Sequence, residues 1–540
     1  MEGDLSGPSL PERLRNGIHR ILGVKEARSA TLVLTFLTLA GKPFNYLRIL
    51  LVASFFGASL EMDVFNVAFG IMWLFAGTAG SAMENAVLPL LAHKRETEGE
   101  TSAKKTMALA WWILILYSMF LFFTILASSE QIIKLFASGF DQNRLSIGRS
   151  MLFWLLPYTI STILKSGFDI WAQHSGKYSL SAFASSFSGL LSLIAFLATY
   201  SWLGVFSIPF SFSFSWFIVS LLTKLGVRDF PFCLADFDRN SVFEILKPTL
   251  LSLIFLGTGA LYGMTDRYFA SLLPIGSITT ISYADFIFGA VSIITTPSLL
   301  LFLSKSSRLA ANASSTNDYT SFYSSVTQAL VIVLFLFFPL GIVLSGVSIS
   351  LVDIVIGHGA FSFDSVILTG NCLAAYALAM PASLGCVVFF RIAQAQKKLV
   401  GLAFVSLQLV CVNALGDWAL SRAFGAPGIA AATSIVYSVG FLLYGHWLLP
   451  GWWRHVGMGA LAKQCALTAL WAGALGWLDR VAFFGSWTPW IVAPLAGIGT
   501  ILHFLLVERL GWLDALPRGW KPTELLELVL SRLRRRPSEE

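Results

Sequence analysis

Charge is scarce in this sequence. Asp, Glu, Lys and Arg make up only 12% of its 540 residues, about half their share in a soluble domain. The 5 cysteines (Cys233, Cys372, Cys386, Cys411 and Cys465) form no CxxC pair and four lie in apolar runs, which leaves little basis for a disulfide framework or a thiolate metal site. The 7 histidines are scattered without HExxH or comparable spacing, so no metal centre is expected. A Walker loop and a nucleophile–base pairing are missing as well. Outward loops are short, the longest near 342–364, too little for an external catalytic domain. Enzyme and cofactor readings are therefore set aside. The net charge of +7 does not point to nucleic acid, because the basic residues sit in short loops and tails where membrane topology puts them.

What is present is apolar length. Hydrophobic residues are 56% of the chain and the mean hydropathy is +0.73. Runs long enough to span a bilayer fall near 29–56, 64–92, 105–128, 147–170, 178–200, 203–224, 243–273, 278–304, 320–345, 366–391, 399–421, 426–449, 457–479 and 487–507. The expected fold is an all-α polytopic membrane protein with about 14 transmembrane helices. The expected organisation is a cytoplasmic segment (1–28), a first six-helix lobe (29–224), a cytoplasmic linker (225–242), a second six-helix lobe (243–449), two further helices (450–507) and a basic amphipathic tail (508–540). With the N-terminus inside, the cytoplasmic connections hold Lys94, Arg95, Lys104, Lys105, Lys177, Lys224, Arg228, Lys305, Arg308, Lys397, Lys398 and Arg454, against Lys134, Arg144, Arg422 and Arg480 outside. That asymmetry places both termini in the cytoplasm.

An internal repeat is visible at a separation of about 220 residues. Residues 53–59 precede Asp63 as residues 270–277 precede Asp285, and 135–141 pairs with 355–361, each ahead of a span with an internal proline, Pro157 or Pro381. Two lobes in parallel order account for this, an arrangement common in transporters with the substrate site between them.

Fixed charge inside spans is the remaining signal, since it costs roughly 2.5–3.5 kcal/mol per group at a helix centre. Asn45 and Arg48 share a face of the first span, with Lys42 about a third of a turn round. On the second span Asp63, Asn66, Gly70, Gly77, Ser81 and Glu84 fall near one stripe of an unbroken helix. Lys165 and Asp169 form an i,i+4 pair; Asp266 and Arg267 end the polar stripe of the seventh span; Asp285 lies on the eighth; Asp417 lies in the eleventh. The plainer reading makes Asp63 a cap of the second helix with Arg48 as its structural partner, and Lys165–Asp169 a structural pair.

LRILLVASFFGASLEMDVFNVAFGI resembles the first hairpin of the MurJ/MviN lipid II flippases, part of the multidrug/oligosaccharidyl-lipid/polysaccharide exporter superfamily. ASLLPIGSITTISYADFIFGAVSIITTPSLLLFLS is similar to that family's seventh and eighth spans, and IGHGAFSFDSVILTGNCLAAYALAMPASLGCVVFFRIAQAQ to its tenth span and the loop before it. The resemblance implies two lobes around a central cationic cavity and outward movement, by alternating access, of an undecaprenyl-diphosphate-linked saccharide: lipid II, or an exopolysaccharide or O-antigen repeat unit. It implies that Lys42 and Arg48 bind substrate and that Asp63 serves gating or ion coupling; from the spans themselves, Asn45 is a further substrate-binding candidate and Glu84 and Asp285 are further candidates for gating or ion coupling. Lys165, Asp266 and Arg267 are further cavity candidates. Three charges usual in the family are neutral here: no Arg stands near Ala76–Gly77, and Phe286 and Gly289 replace an Arg and a Glu. No cofactor is implied beyond a coupling ion (Na+ or H+) or the membrane potential. The implied setting is the bacterial inner membrane, with the saccharide lipid, membrane lipids and cell-envelope synthesis proteins as partners, and no nucleic acid. A drug/cation antiporter of the same superfamily and a non-transporting scaffold for lipid-linked precursors are the alternatives.

Overall fold

A backbone in hydrocarbon must satisfy its N–H and C=O groups within its own segment, and long apolar runs do so as helices. The computed structural model describes residues 27–233, 237–291, 320–396, 398–481, 485–517, 520–524 and 527, and these form helices and turns with no strand among them. In chain order the helices are α1 (Ala27–Phe56), α2 (Leu60–Glu98), α3 (Glu100–Phe136), α4 (Gln142–His174), α5 (Tyr178–Leu203), α6 (Ser207–Gly226), α7 (Arg239–Ala270) and α8 (Ser277–Val291). They continue as α9 (Thr320–Gly346), α10 (Ser348–Ile356), α11 (Phe363–Leu378), α12 (Met380–Ala395), α13 (Leu399–Phe424), α14 (Ala426–Leu448), α15 (Met458–Arg480) and α16 (Thr488–Arg509). Among the described residues 8 stretches are long and apolar enough to cross a membrane, or 10 when bent pairs such as α11–α12, inclined at 49°, count as one. One of the eight, Leu180–Gly226, contains both α5 and α6. The end of the expected eighth span (292–304) and residues 1–26 lie outside the described residues.

The chain divides into two compact units, Met1–Val52 with Leu60–Met264, and Ala53–Ser59 with Thr265–Glu540. In the first, helices approach closely where side chains are small, the usual basis of helix association in lipid. A Cβ on Gly41 would come within 2.6 Å of the Ser186 backbone, and one on Gly167 within 2.7 Å of the Trp111 ring. Trp111 in turn meets Phe168 at 4.8 Å and Phe230 at 5.0 Å, which fastens the segment after α6 onto α3 and α4.

Two irregularities shape this unit. In α2 the residues Trp73–Gly77 form a π-helical turn, steadied by the Thr78 hydroxyl on the Leu74 carbonyl and by Tyr117 Oη donating to the Phe75 carbonyl at 2.8 Å. The wider turn takes up one extra residue and rotates everything after it by roughly 100°. The single stripe expected from Asp63 to Glu84 is therefore cut: Gly77 is buried, Ser81 is exposed, and Glu84 is half-buried. In α4, Pro157 interrupts the helix and Ser213 of α6 repairs the adjoining bond. Tyr158 N donates to Ser213 Oγ at 3.2 Å, and Ser213 Oγ donates to the Trp154 carbonyl at 2.6 Å, so a hydroxyl stands inside the i→i−4 ladder.

In the second unit the hairpin tip Ala53–Ser59 packs on the loops that the repeat singled out. Ala360 N donates to the Ser54 carbonyl at 2.7 Å, and Gly57 (φ 59°) is pressed so close to the Ala360 carbonyl that a Cβ would stand 2.4 Å from it. Asp479 of α15 receives the Ser350 N–H of α10 at 3.1 Å. His503 of α16 lies 3.0 Å from the Thr468 hydroxyl of α15, tying those two helices together.

Ser213→Ala leaves a buried N–H and a carbonyl unmatched and is expected to cost about 1–3 kcal/mol, read as a lower Tm of the purified protein; an unchanged Tm would show that the helix closes the gap by itself.

Candidate functional site

Each unit carries a buried polar cluster. In the first, Arg48 of α1 is only 4% exposed and lies over the Phe212 ring, 3.9 Å from its centroid. Phe212 belongs to an aromatic group with Phe69 (4.7 Å), Tyr158 (5.8 Å) and Phe65 (6.1 Å). Tyr158 meets Trp216 edge-on at 5.7 Å, and Lys165 Nζ stands 5.8 Å from the Trp216 ring. Two buried cations thus border one aromatic group, each drawn to a ring face by its quadrupole.

Lys165 Nζ donates to Asp169 Oδ2 at 2.5 Å and to Ser185 Oγ at 3.2 Å. Glu84 accepts from Gln173 Nε2 at 2.6 Å and feels the charges of both Asp169 and Lys165. Glu84, Lys165 and Asp169 accordingly form one network across α2 and α4. Lys42 is half-buried on α1. Asn45 faces α5, its carboxamide filling the notch left by Gly189, where a Cβ would come within 2.8 Å of Nδ2. Asp63 is 2% exposed in the first turn of α2, where the helix dipole favours a carboxylate.

The second unit brings together residues far apart in sequence. Asn413 Nδ2 of α13 donates to Asp266 Oδ1 of α7 at 2.8 Å and to Asp417 Oδ2 at 3.0 Å. The Thr433 hydroxyl of α14 donates to Asp266 Oδ2 at 3.2 Å. The Asn413 amide nitrogen thus bridges the Asp266 and Asp417 carboxyls. Asp417 and Asn413 are fully buried, and Asp417 Oδ1 and Asn413 Oδ1 lack hydrogen-bond partners. These two unmatched atoms are hard oxygens, the donor type suited to a proton or a small hard cation. No group of three His, Cys, Asp or Glu that could hold a metal occurs among the described residues. Arg267 interacts electrostatically with Asp266 and Asp285, and Asp285 itself is exposed. A side chain at Gly289, one turn on, would meet open space.

The candidates thus separate into Lys42, Asn45, Arg48, Asp63, Glu84 and Lys165 in the first unit, and Asp266, Arg267 and Asp285 in the second. Asn413 and Thr433 did not stand out in the sequence. A polar amide one turn before Asp417 in an apolar run was the available signal for the first, and a lone threonine gave none for the second.

The family model described as lipid II flippase MurJ matches residues 52–494. The chain belongs to the MurJ family. The probable lipid II flippase MurJ of Buchnera aphidicola subsp. Baizongia pistaciae is 26% identical over 373 residues, 64% of this chain and 69% of that protein. The probable lipid II flippase MurJ of Thermotoga maritima is 25% identical over 421 residues, 76% and 83% of the two chains. A solved lipid II flippase MurJ in an inward closed conformation superposes with TM-score 0.71 at 20% identity, covering 89% of this chain and 99% of its own. An inward-facing multidrug resistance MATE family transporter of the MOP superfamily superposes with TM-score 0.63 at 13% identity, covering 79% and 96%. The MurJ-family chain therefore has the all-helical transporter fold expected of it, and is a membrane protein with multiple apolar helices.

Breaking the Lys165–Asp169 pair on one side strands a buried charge, so Lys165→Met is expected to cost about 3–5 kcal/mol, while Lys165→Met with Asp169→Leu costs markedly less. Unfolding of the single and double variants in detergent measures the difference; equal losses would count against a coupled pair.

Proposed function

We propose that this chain is a flippase of the bacterial inner membrane that moves an undecaprenyl-diphosphate-linked saccharide outward by alternating access, with both termini in the cytoplasm. The observation that carries it is the family match across residues 52–494, joined to ionic side chains held inside spanning helices. A diphosphate cannot cross hydrocarbon without a polar lining and counter-charge. Lys42 and Arg48 supply cations from one helix, and guanidinium and ammonium groups bind diphosphate through charge-assisted bonds. Arg48 is parked on Phe212, a contact of about 0.5–2 kcal/mol that a diphosphate outcompetes. The missing charges at Phe286 and Gly289 leave room for a saccharide lipid other than lipid II.

Energy coupling is assigned to Asp266, Asn413, Asp417 and Thr433. The Asp266 and Asp417 carboxyls, bridged by Asn413, take up H+ or Na+ in this reading, and exchange of the two gives an ion-driven step without a nucleotide. Asp63, Glu84 and Asp285 then act in gating, Asp285 through Arg267.

Purified protein in liposomes containing labelled undecaprenyl-diphosphate disaccharide tests this reading, with headgroup exposure to an external quencher as the readout. The wild type is expected to expose the headgroup, and Lys42→Ala with Arg48→Ala to slow it at least about tenfold, since two charge-assisted bonds are lost. Efflux of organic cations with no movement of the lipid would overturn the proposal. In the same liposomes Asp417→Asn is expected to abolish any stimulation by a Na+ or pH gradient while leaving lipid binding intact; retained stimulation would remove the cluster from coupling.

A further inference from the structure

One face of α2 presents polar groups in the open. Ser81 and Asn85 are exposed, Glu84 is half-buried beside them, and Trp73 is 47% exposed. A hydroxyl and a carboxamide laid bare in hydrocarbon are costly, so this face of a spanning helix meets water. Trp73 is not part of an interfacial belt: it lies 13 residues after Leu60 in the helix, roughly 20 Å along it, whereas belt tryptophans sit at helix ends.

The π turn is what joins these side chains. On a regular helix Ser81 and Asn85 would point roughly 80° and 120° away from Trp73, and the extra residue brings all three within roughly 20° of one line. Gly77 completes the arrangement. A Cβ there would stand 2.8–3.0 Å from the six-membered ring of Trp73, so the indole rests on bare backbone while nearly half its surface stays open. An open aromatic surface followed by a hydroxyl and a carboxamide, which both donates and accepts, is the surface chemistry that suits a sugar: apolar C–H faces with a rim of hydroxyls.

We propose that Trp73, Ser81 and Asn85 form the platform on which the saccharide of the carried lipid rests. One sugar ring stacks on the indole over Gly77 and its hydroxyls exchange hydrogen bonds with Ser81, about one turn on, while the next sugar meets Asn85 a turn further, roughly 12 Å from Gly77. This rests on the flippase reading and adds to it a saccharide site separate from the cations that take the diphosphate. It makes this helix face a determinant of which sugar is accepted.

Two probes divide the headgroup: undecaprenyl-diphosphate disaccharide, and undecaprenyl diphosphate without sugar. Binding of each to the purified full chain is measured for wild type, Trp73→Ala, Trp73→Phe and Asn85→Ala. Trp73→Ala is expected to weaken the disaccharide lipid by about tenfold or more, equivalent to about 1.4 kcal/mol, and the sugar-free lipid by less than about twofold. Trp73→Phe keeps most of the affinity because a stacking ring remains, and Asn85→Ala shows the same selectivity for the sugared probe. Asn85→Ala and Trp73→Phe keep the test valid should Trp73→Ala not fold. Equal loss on both probes, or no loss on either, overturns the platform. Wild type that binds both lipids while the variants show no contrast leaves the flippase reading standing, and wild type that binds neither overturns that reading itself.

Discussion

A charged or polar group inside a membrane must be matched by something, and in this protein that requirement decides where the chemistry sits. Lys165 is matched by Asp169 and Ser185, Glu84 by Gln173, and Asp266 by Asn413 and Thr433. Arg48 uses an aromatic face. Even the backbone follows the rule, since the bond disturbed at Pro157 is remade by a serine from the neighbouring helix. Such pairings hold the helices in register because the alternative is a bare polar group in hydrocarbon.

The same requirement separates groups that hold the structure from groups that are available to work. Lys165 and Asp169 form an ion pair within one helix. Asp417 and Asn413 each keep one oxygen unmatched at full burial, and Asp266 and Asp417 meet on the Asn413 amide. Trp73, Ser81 and Asn85 are open instead of buried, which a spanning helix tolerates only where water reaches it. In the proposed reading, coupling, diphosphate binding and sugar contact are distributed over different helices.

Much of the helical layout was legible from apolar run length, because crossing hydrocarbon sets a minimum of about 20 apolar residues. The Lys165–Asp169 pair was legible too, since i,i+4 neighbours on one helix meet whatever else the fold does. The stripe from Asp63 to Glu84 was not: a period of 3.6 assumes a regular helix, and the π turn at Trp73–Gly77 breaks the assumption without leaving a Pro or Gly pattern that demands it. Loops 270–277 and 355–361 stood out as repeats, but that Gly57 and Ser54 of the hairpin tip pack on the second of them depended on close backbone approach that composition does not encode.

The amino-acid order by itself determined that the chain is a helical membrane protein, that its basic residues favour one side, that it resembles the MurJ family and that fixed charge lies within its spans. The resemblance rests on matched segments, and the rest follows from local quantities: hydropathy, spacing and sign of charge. Tertiary structure alone decided which polar groups of different helices meet and which helix faces stay open. Asp266, Asn413, Asp417 and Thr433 converge from three helices, and Trp73 joins Ser81 and Asn85 through one extra residue in a turn. The second is set by a π turn within one helix, the first by packing. Contacts between helices depend on how each is rotated about its axis, and that rotation is set by packing against its neighbours.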